Sequence, residues 1–367
     1  MRLGEVARGR DNNFNLIRMI AATGVLVSHA FPITLGTGTP QPLEAETGYT
    51  LGWICVAVFF AISGFLITAS FERKREVAPF ISARIARLFP ALIVVTLLTA
   101  FFYGPAFTTL GLGAYFSDIG TWTYVPRNVT LVKLQYGLPG VFADHPYPVA
   151  INGSLWTLFH EVTCYVGVLL AGLTGLLASR RILGAVLLAY AAVFIVTGLD
   201  PVESMLPERI HGLRLLSFPF AVGSAFFIWR DRIVLSWLVA VGLGVLAWLV
   251  RGTAVYEAIF LSFIAYATFV VAYRPSGWLR SYNRLGDYSY GMYVYAFPVQ
   301  QAVVALAGPM TPLQNIAASL PVTLAFAVAS WYLVEEPALA RRHRLSGWLE
   351  NLRGNRIIRH RPEEVEG

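Results

Sequence analysis

Apolar runs of about 17–25 residues recur along nearly the whole chain, and each is long enough to cross a hydrocarbon core of roughly 30 Å. Inside lipid no water is present to satisfy backbone N–H and C=O groups, so such a run has to be helical. The runs fall at 14–33, 51–71, 88–106, 154–177, 182–198, 214–229, 233–250, 255–273, 288–307 and 315–334. Hydrophobic residues occupy 56% of the 367 positions and charged residues only 13%, which leaves no room for a sizeable soluble domain. The sequence therefore predicts an all-α fold, a polytopic transmembrane bundle of about ten membrane-spanning helices.

With the N-terminus placed in the cytoplasm, the inner segments hold 23 of the 28 Lys and Arg residues, all except Arg127, Lys133, Arg209, Arg214 and Arg251. Basic residues favour cytoplasmic loops, so both termini are expected inside a cell (inner or plasma) membrane. Topology then explains the net charge of +7, and no nucleic-acid partner is called for. Residues 1–340 read as the transmembrane domain and 341–367 as a basic cytoplasmic tail, a positive-inside flank on a short disordered end. The first run is long for a signal-peptide core and lacks a clear cleavage site, so it reads as a retained anchor. Cys55 and Cys164 lie in apolar spans, which argues against a disulfide framework or a metal cluster. "NVT" at 128–130 fits a glycosylation sequon, a pattern common by chance.

Two loops are long. The outer one, 104–153, contains Trp122, Tyr124, Tyr136 and Tyr147, a composition that suggests order; such rings can stack on sugar faces or form an interfacial belt. The inner one, "ERKREVAPFISARIARLFP" at 72–90, reads as an amphipathic segment at the headgroup boundary. Its Arg84 and Arg87 are three apart and share a helix face. Two planar guanidiniums on one face suit phosphate, although a topological flank has the same look.

The first run carries two ionisable groups, and such groups inside a membrane usually mark a function. Arg18 and His29 are eleven residues apart, which is three turns plus about 20° on a helix. They therefore share one face, with Asn15, Ala22 and Val25 between or beside them, and are separated by a rise of roughly 16 Å. The pattern describes a route through the bilayer with a cation at its inner mouth and a general base deep along it.

Five stretches carry a resemblance to the integral-membrane acyltransferase 3 family. They are Arg18 with ten residues before His29; "VAVFFAISGFLI" at 56–67; "FISARIARLFP" at 80–90; "INGSLWTLFHEVTCY" at 151–165; and "YLVEEPALA" at 332–340. Their order and spacing, together with ten spans, resemble that family over nearly the whole length. The resemblance implies an enzyme that takes an acyl group, usually acetyl, from coenzyme A on the cytoplasmic side. The acceptor would be a hydroxyl of an extracytoplasmic or lipid-linked saccharide. It implies that Arg18, Arg84 and Arg87 bind the acyl-CoA and that His29 deprotonates the acceptor. Glu161 would stand near His29, orienting the imidazole or the sugar. Asn15, Ser63, Trp156 and Glu335 would support the site, Glu335 as an ion-pair partner for one of the arginines. No bound cofactor or metal is implied; acyl-CoA is a co-substrate.

The chain departs from the family at "SYGMYVYAFP", 289–298, where Ala296 stands at a position that is histidine in many relatives. No second histidine role is assigned. Some relatives also carry a fused extracytoplasmic hydrolase domain, whereas this chain continues for only about thirty residues past its last span, so transfer is expected to finish in the membrane domain or on a separate protein. The other reading is a transporter or flippase for a glycolipid or metabolite. Ten spans with polar residues inside suit it, but the chain has no convincing internal repeat.

Overall fold

The computed structural model describes residues 1–7, 9 and 11–358, with side chains up to 351. Among these residues the regular structure is entirely helical. Each of the ten apolar runs coincides with a helix: α1 (Phe14–Leu35), α2 (Leu51–Lys74), α3 (Val77–Leu98), α4 (Trp156–Leu173), α5 (Arg180–Val196), α6 (Glu208–Ile228), α7 (Trp237–Leu249), α8 (Tyr256–Tyr273), α9 (Ser289–Ala307) and α10 (Pro312–Ser330). Seven helical stretches are both long and apolar enough to cross a membrane, and α7 is a shorter apolar helix. The chain is a multi-pass membrane protein.

Helix α9 stands apart for a physical reason. It carries Tyr290, Tyr293, Tyr295, Gln300 and Gln301, too polar for a lipid-facing span, yet 15 of its 19 residues are buried. It runs through the interior of the bundle, packed against α1 and α10 and enclosed by protein. Pro298 has no N–H to give, so the Val294 carbonyl one turn earlier loses its helical partner. The Asn152 side chain donates to that carbonyl at 2.8 Å. Gln301 donates to the Tyr147 and Ala150 carbonyls at 2.8 and 2.9 Å. The end of the 104–153 loop is thereby sewn onto α9. Replacing Asn152 by leucine should cost about 1–3 kcal/mol of stability, because a buried acceptor is left unsatisfied. An unchanged unfolding midpoint in detergent would show that this bond does not matter.

Helices α2 and α6 cross with their backbones in contact. A Cβ on Gly64 would lie 1.9 Å from the Phe220 carbonyl oxygen, and one on Gly223 would lie 2.0 Å from that of Ala61. Small residues permit such a crossing in membrane bundles. The glycine of the "ISGF" stretch thus serves packing, and its neighbour Ser63 lines an interior cavity.

The 104–153 loop is ordered, as its composition suggests. It forms short helices at Leu112–Ser117 and Ile119–Thr130 over a small core of Tyr115, Tyr124, Val141, Phe142 and Ile151. Tyr124 belongs to that core, whereas Trp122 and Tyr136 are exposed. Asn128, the sequon residue, is buried, donates to the Tyr124 and Gln135 carbonyls and accepts from the Gln135 amide. It has no free amide for a glycan.

Two expectations are revised at the opposite end of the bundle. The 72–90 segment is not an interfacial strip. Lys74 ends α2, the chain turns at Arg75 with φ +54°, and α3 starts at Val77. Phe80 and Leu88 are buried in the bundle, and both arginines between them line an interior cavity, Arg87 meeting carboxylates from other helices there. Nor is the basic tail irregular from its start. After a π-turn at Trp331–Glu335 and a short helix at Glu336–Ala340, it forms α11 (Arg342–Ile358), which packs on α3. The rest of the tail, 359–367, lies outside the described residues.

Candidate active site

A cavity of about 650 Å³ opens at the end of the bundle that carries Arg73, Lys74 and Arg342, and runs inward between α1, α2, α3, α4 and α9. Six cationic side chains line it: Arg18, Arg73, Lys74, Arg84, Arg87 and Arg342. Three carboxylates face them, Glu76, Glu161 and Asp287. The imbalance favours an anionic occupant.

Deep in the cavity the charges are compensated. Asp287, at the foot of α9, meets Arg87 at 2.6 Å and Arg18 at 3.0 Å, and accepts from the Ser289 hydroxyl at 2.6 Å. Burial alone would push the Asp287 carboxyl up; the two guanidiniums outweigh burial and hold it at about 2. Arg87 also reaches Glu335 at 3.4 Å, and Glu335 accepts from Ser330 at 3.0 Å. The π-turn that follows Ser330 sets Glu335 inward, where it is 1% exposed. Arg18 is further anchored by Asn15, one turn earlier, at 2.7 Å.

Arg84 differs from its neighbour. No carboxylate pairs with it among the described residues, and its buried Nε has no hydrogen-bond partner. Its guanidinium lies 5.9 Å from the Phe80 ring and 5.7 Å from the Tyr165 ring. Arg84 and Arg87 read identically in sequence, but one is committed to an ion cluster and the other is available. Glu161 sits across from Arg84. It accepts from the Tyr165 hydroxyl and from Ser63 Oγ, the latter at 3.4 Å.

The cavity ends at a septum. The Tyr293 hydroxyl bonds the Ser154 carbonyl at 2.9 Å and the Thr157 hydroxyl at 2.7 Å, and its ring meets Phe59 with centroids 6.0 Å apart. One turn beyond Tyr293, the Phe297 and His29 rings meet in a T-shaped contact with centroids 5.3 Å apart. The imidazole Nδ1 is buried and unpartnered. His29 therefore lies beyond the septum from the guanidiniums, as the helical rise from Arg18 requires.

The structure thus brings Arg18, Arg84, Arg87, Ser63 and Glu161 to one cavity, with Asn15 and Glu335 held behind the arginines. Two residues differ from expectation. Glu161 has Tyr165 and Ser63 as partners, and His29 is not among them. Trp156 packs on His160 at the α4 N-terminus, with ring centroids 5.3 Å apart, and does not line the cavity. Ala296 is buried between α1 and α10 in a cluster with Ala22, Leu26 and Ala327, away from the arginines. Asp287, Tyr165 and Tyr293 belong to the site and were missed from sequence. Asp287 was the traceable one, a lone acid in a basic flank just ahead of a span rich in tyrosine.

The family model described as "Acyltransferase domain" matches residues 11–334, nearly the whole chain. The chain belongs to this acyltransferase family. A protein of Shigella phage Sf6 named O-acetyl transferase is 31% identical over 343 residues, covering 90% of this chain and 97% of that one. Nodulation protein 10 of Rhizobium leguminosarum bv. viciae is 28% identical over 368 residues, covering 92% and 96%. No solved structure gives a significant match. The protein is a membrane acyltransferase, and membership of this family favours group transfer over the transporter reading.

Proposed function

We propose that this acyltransferase moves an acyl group, acetyl foremost, from acyl-CoA entering at the cytoplasmic face of the cell membrane to a saccharide hydroxyl beyond or within it. The observation that carries the reading is the cavity itself. It is lined by an excess of cations, holds one uncommitted guanidinium at Arg84, and ends at a septum below an unpartnered histidine. Arg84 takes a phosphate of the donor, since its planar fork is free to do so. Arg18 and Arg87, fixed on Asp287, shape the passage for the pantetheine arm. The thioester comes to rest at Tyr293. Movement of that tyrosine lets the carbonyl carbon meet the acceptor oxygen.

The acceptor hydroxyl gives its proton to the His29 imidazole as its oxygen attacks the thioester carbonyl. The C–S bond breaks, coenzyme A leaves as a thiolate, and the imidazolium returns the proton to it. An ester is formed and no oxidant or metal is needed. The relative named O-acetyl transferase supports an oxygen acceptor, and the exposed Trp122 and Tyr136 at the far end suit a sugar face.

Inside-out membrane vesicles given radiolabelled acetyl-CoA should acylate an endogenous glycan, and sealed right-side-out vesicles should not. In the inside-out vesicles, Arg84→Ala should weaken donor affinity about ten- to a hundredfold, the loss expected for one charge-assisted contact. Transfer from donor supplied only to the opposite face would overturn the proposal.

A further inference from the structure

The mouth of the cavity is completed by the helix that sequence assigns to topology. Helix α11 folds back onto α3, the helix of Arg84, and places Arg342, His343 and Ser346 on the cavity wall. These positions, i, i+1 and i+4, share one helix face. Arg344, two residues on, is about 200° away around the helix and is exposed without lining the cavity. Across the mouth stand Arg73 and Lys74, the last residues of α2. The nearby Glu72 is taken by Arg75 at 2.9 Å. Among the described residues, Arg73, Lys74 and Arg342 have no carboxylate partner within ion-pair distance. Arg342 donates from Nη1 to the Leu339 carbonyl at 2.8 Å, which leaves the rest of its fork free. Three cations without an ion-pair partner and a histidine therefore ring the entrance, further out than Arg84, with Glu76 the one carboxylate beside them in the lining.

An acyl-CoA carries phosphate at two places: a diphosphate next to the pantetheine arm, and a 3′-phosphate monoester on the ribose at the end remote from the thioester. With the thioester inward at the septum and Arg84 on the cavity wall, the ribose end lies at the mouth. We propose that α11 is part of the donor site and that Arg342, with Lys74 opposite, binds the 3′-phosphate of coenzyme A. This rests on the donor reading above. It assigns the C-terminal helix to recognition of a phosphate monoester dianion, where charge alone would assign it to topology.

The test compares coenzyme A with 3′-dephospho-coenzyme A on full-length protein in nonionic detergent. At low salt the unaltered protein should bind coenzyme A on the order of tenfold more tightly, the low end for a charge-assisted contact because the site is exposed. The preference should shrink as added salt shortens the screening length. Arg342→Gln should abolish the preference while leaving affinity for the dephospho form unchanged. Arg344→Gln removes the same charge from the other face and should leave the preference intact. Equal binding of both nucleotides by the unaltered protein would overturn the inference and leave the donor reading standing. Binding of neither would overturn the donor reading itself. Equal losses in the two arginine variants would mean that bulk charge acts, not a site. Loss of the preference in micelles doped with phosphatidylglycerol would assign the cations to a lipid headgroup phosphate instead.

Discussion

Replacing His29 by alanine should lower the rate of acyl transfer by about 10²–10⁴-fold, the usual contribution of a general base, and leave donor affinity nearly unchanged. The split follows from the geometry. His29 stands one turn of α9 beyond the septum at Tyr293, and the cations that line the cavity stand on the near side. Its ring packs on Phe297 at 5.3 Å, and its Nδ1 is enclosed without a partner. A buried polar atom left unsatisfied is costly, and it persists here where an acceptor hydroxyl has to come within about 2.6–3.2 Å. A purely packing role for His29 predicts the opposite: less folded protein, with full specific activity per folded molecule. His29→Gln keeps most of the volume and a hydrogen-bonding tip but is no base at neutral pH, so it should fail as alanine does. Transfer rate and donor affinity would be measured separately on matched amounts of folded protein. Full turnover by either variant would remove His29 from the chemistry.

Much of the fold was legible because one constraint dominates a membrane chain: an apolar stretch of spanning length has to be a helix. All ten runs are helical for that reason, including α9, whose tyrosines and glutamines mark it as enclosed by protein. The site was legible only in part. Arg18 and His29 lie on one helix, so a period of 3.6 residues relates them. No such rule relates Arg87 to Asp287, which lies 200 residues away and meets it only after the bundle assembles. For the same reason sequence could not separate Arg84 from Arg87, because the distinction lies in partners supplied by other helices. Glu161 faces Ser63 and Tyr165, not His29, for a related cause. Its position along α4 fixes its depth, but its facing is set by how α4 packs on α2. Helix α11 was not foreseen as a helix because charge dominates its composition, while its dock on α3 is a tertiary contact.

Asp287→Ala should destabilise the protein by about 3–5 kcal/mol, the cost of leaving a buried charge without its partner. The loss is expected to be large because one carboxylate serves two guanidiniums, Arg18 at 3.0 Å and Arg87 at 2.6 Å, and all three side chains are at most 20% exposed. Without it the two cations face each other across the base of α9, with Glu335 at 3.4 Å compensating only Arg87. Arg87→Ala should fall in the same class, since it strands Glu335 and leaves Asp287 with Arg18 alone. Arg84→Ala should not, because among the described residues no carboxylate is ion-paired with Arg84; its cost is expected in donor binding. The comparison separates two arginines that are three residues apart on one helix and indistinguishable by composition. Unfolding midpoints of the three variants in one detergent would establish the order. Adding Arg18→Gln to Asp287→Ala should recover part of the lost stability, because it removes one stranded cation, and the shortfall from additivity measures the coupling. An Asp287→Ala protein as stable as the parent would mean that water, and not Asp287, compensates the guanidiniums. Arg18 and Arg87 would then be as free as Arg84 to hold donor phosphate.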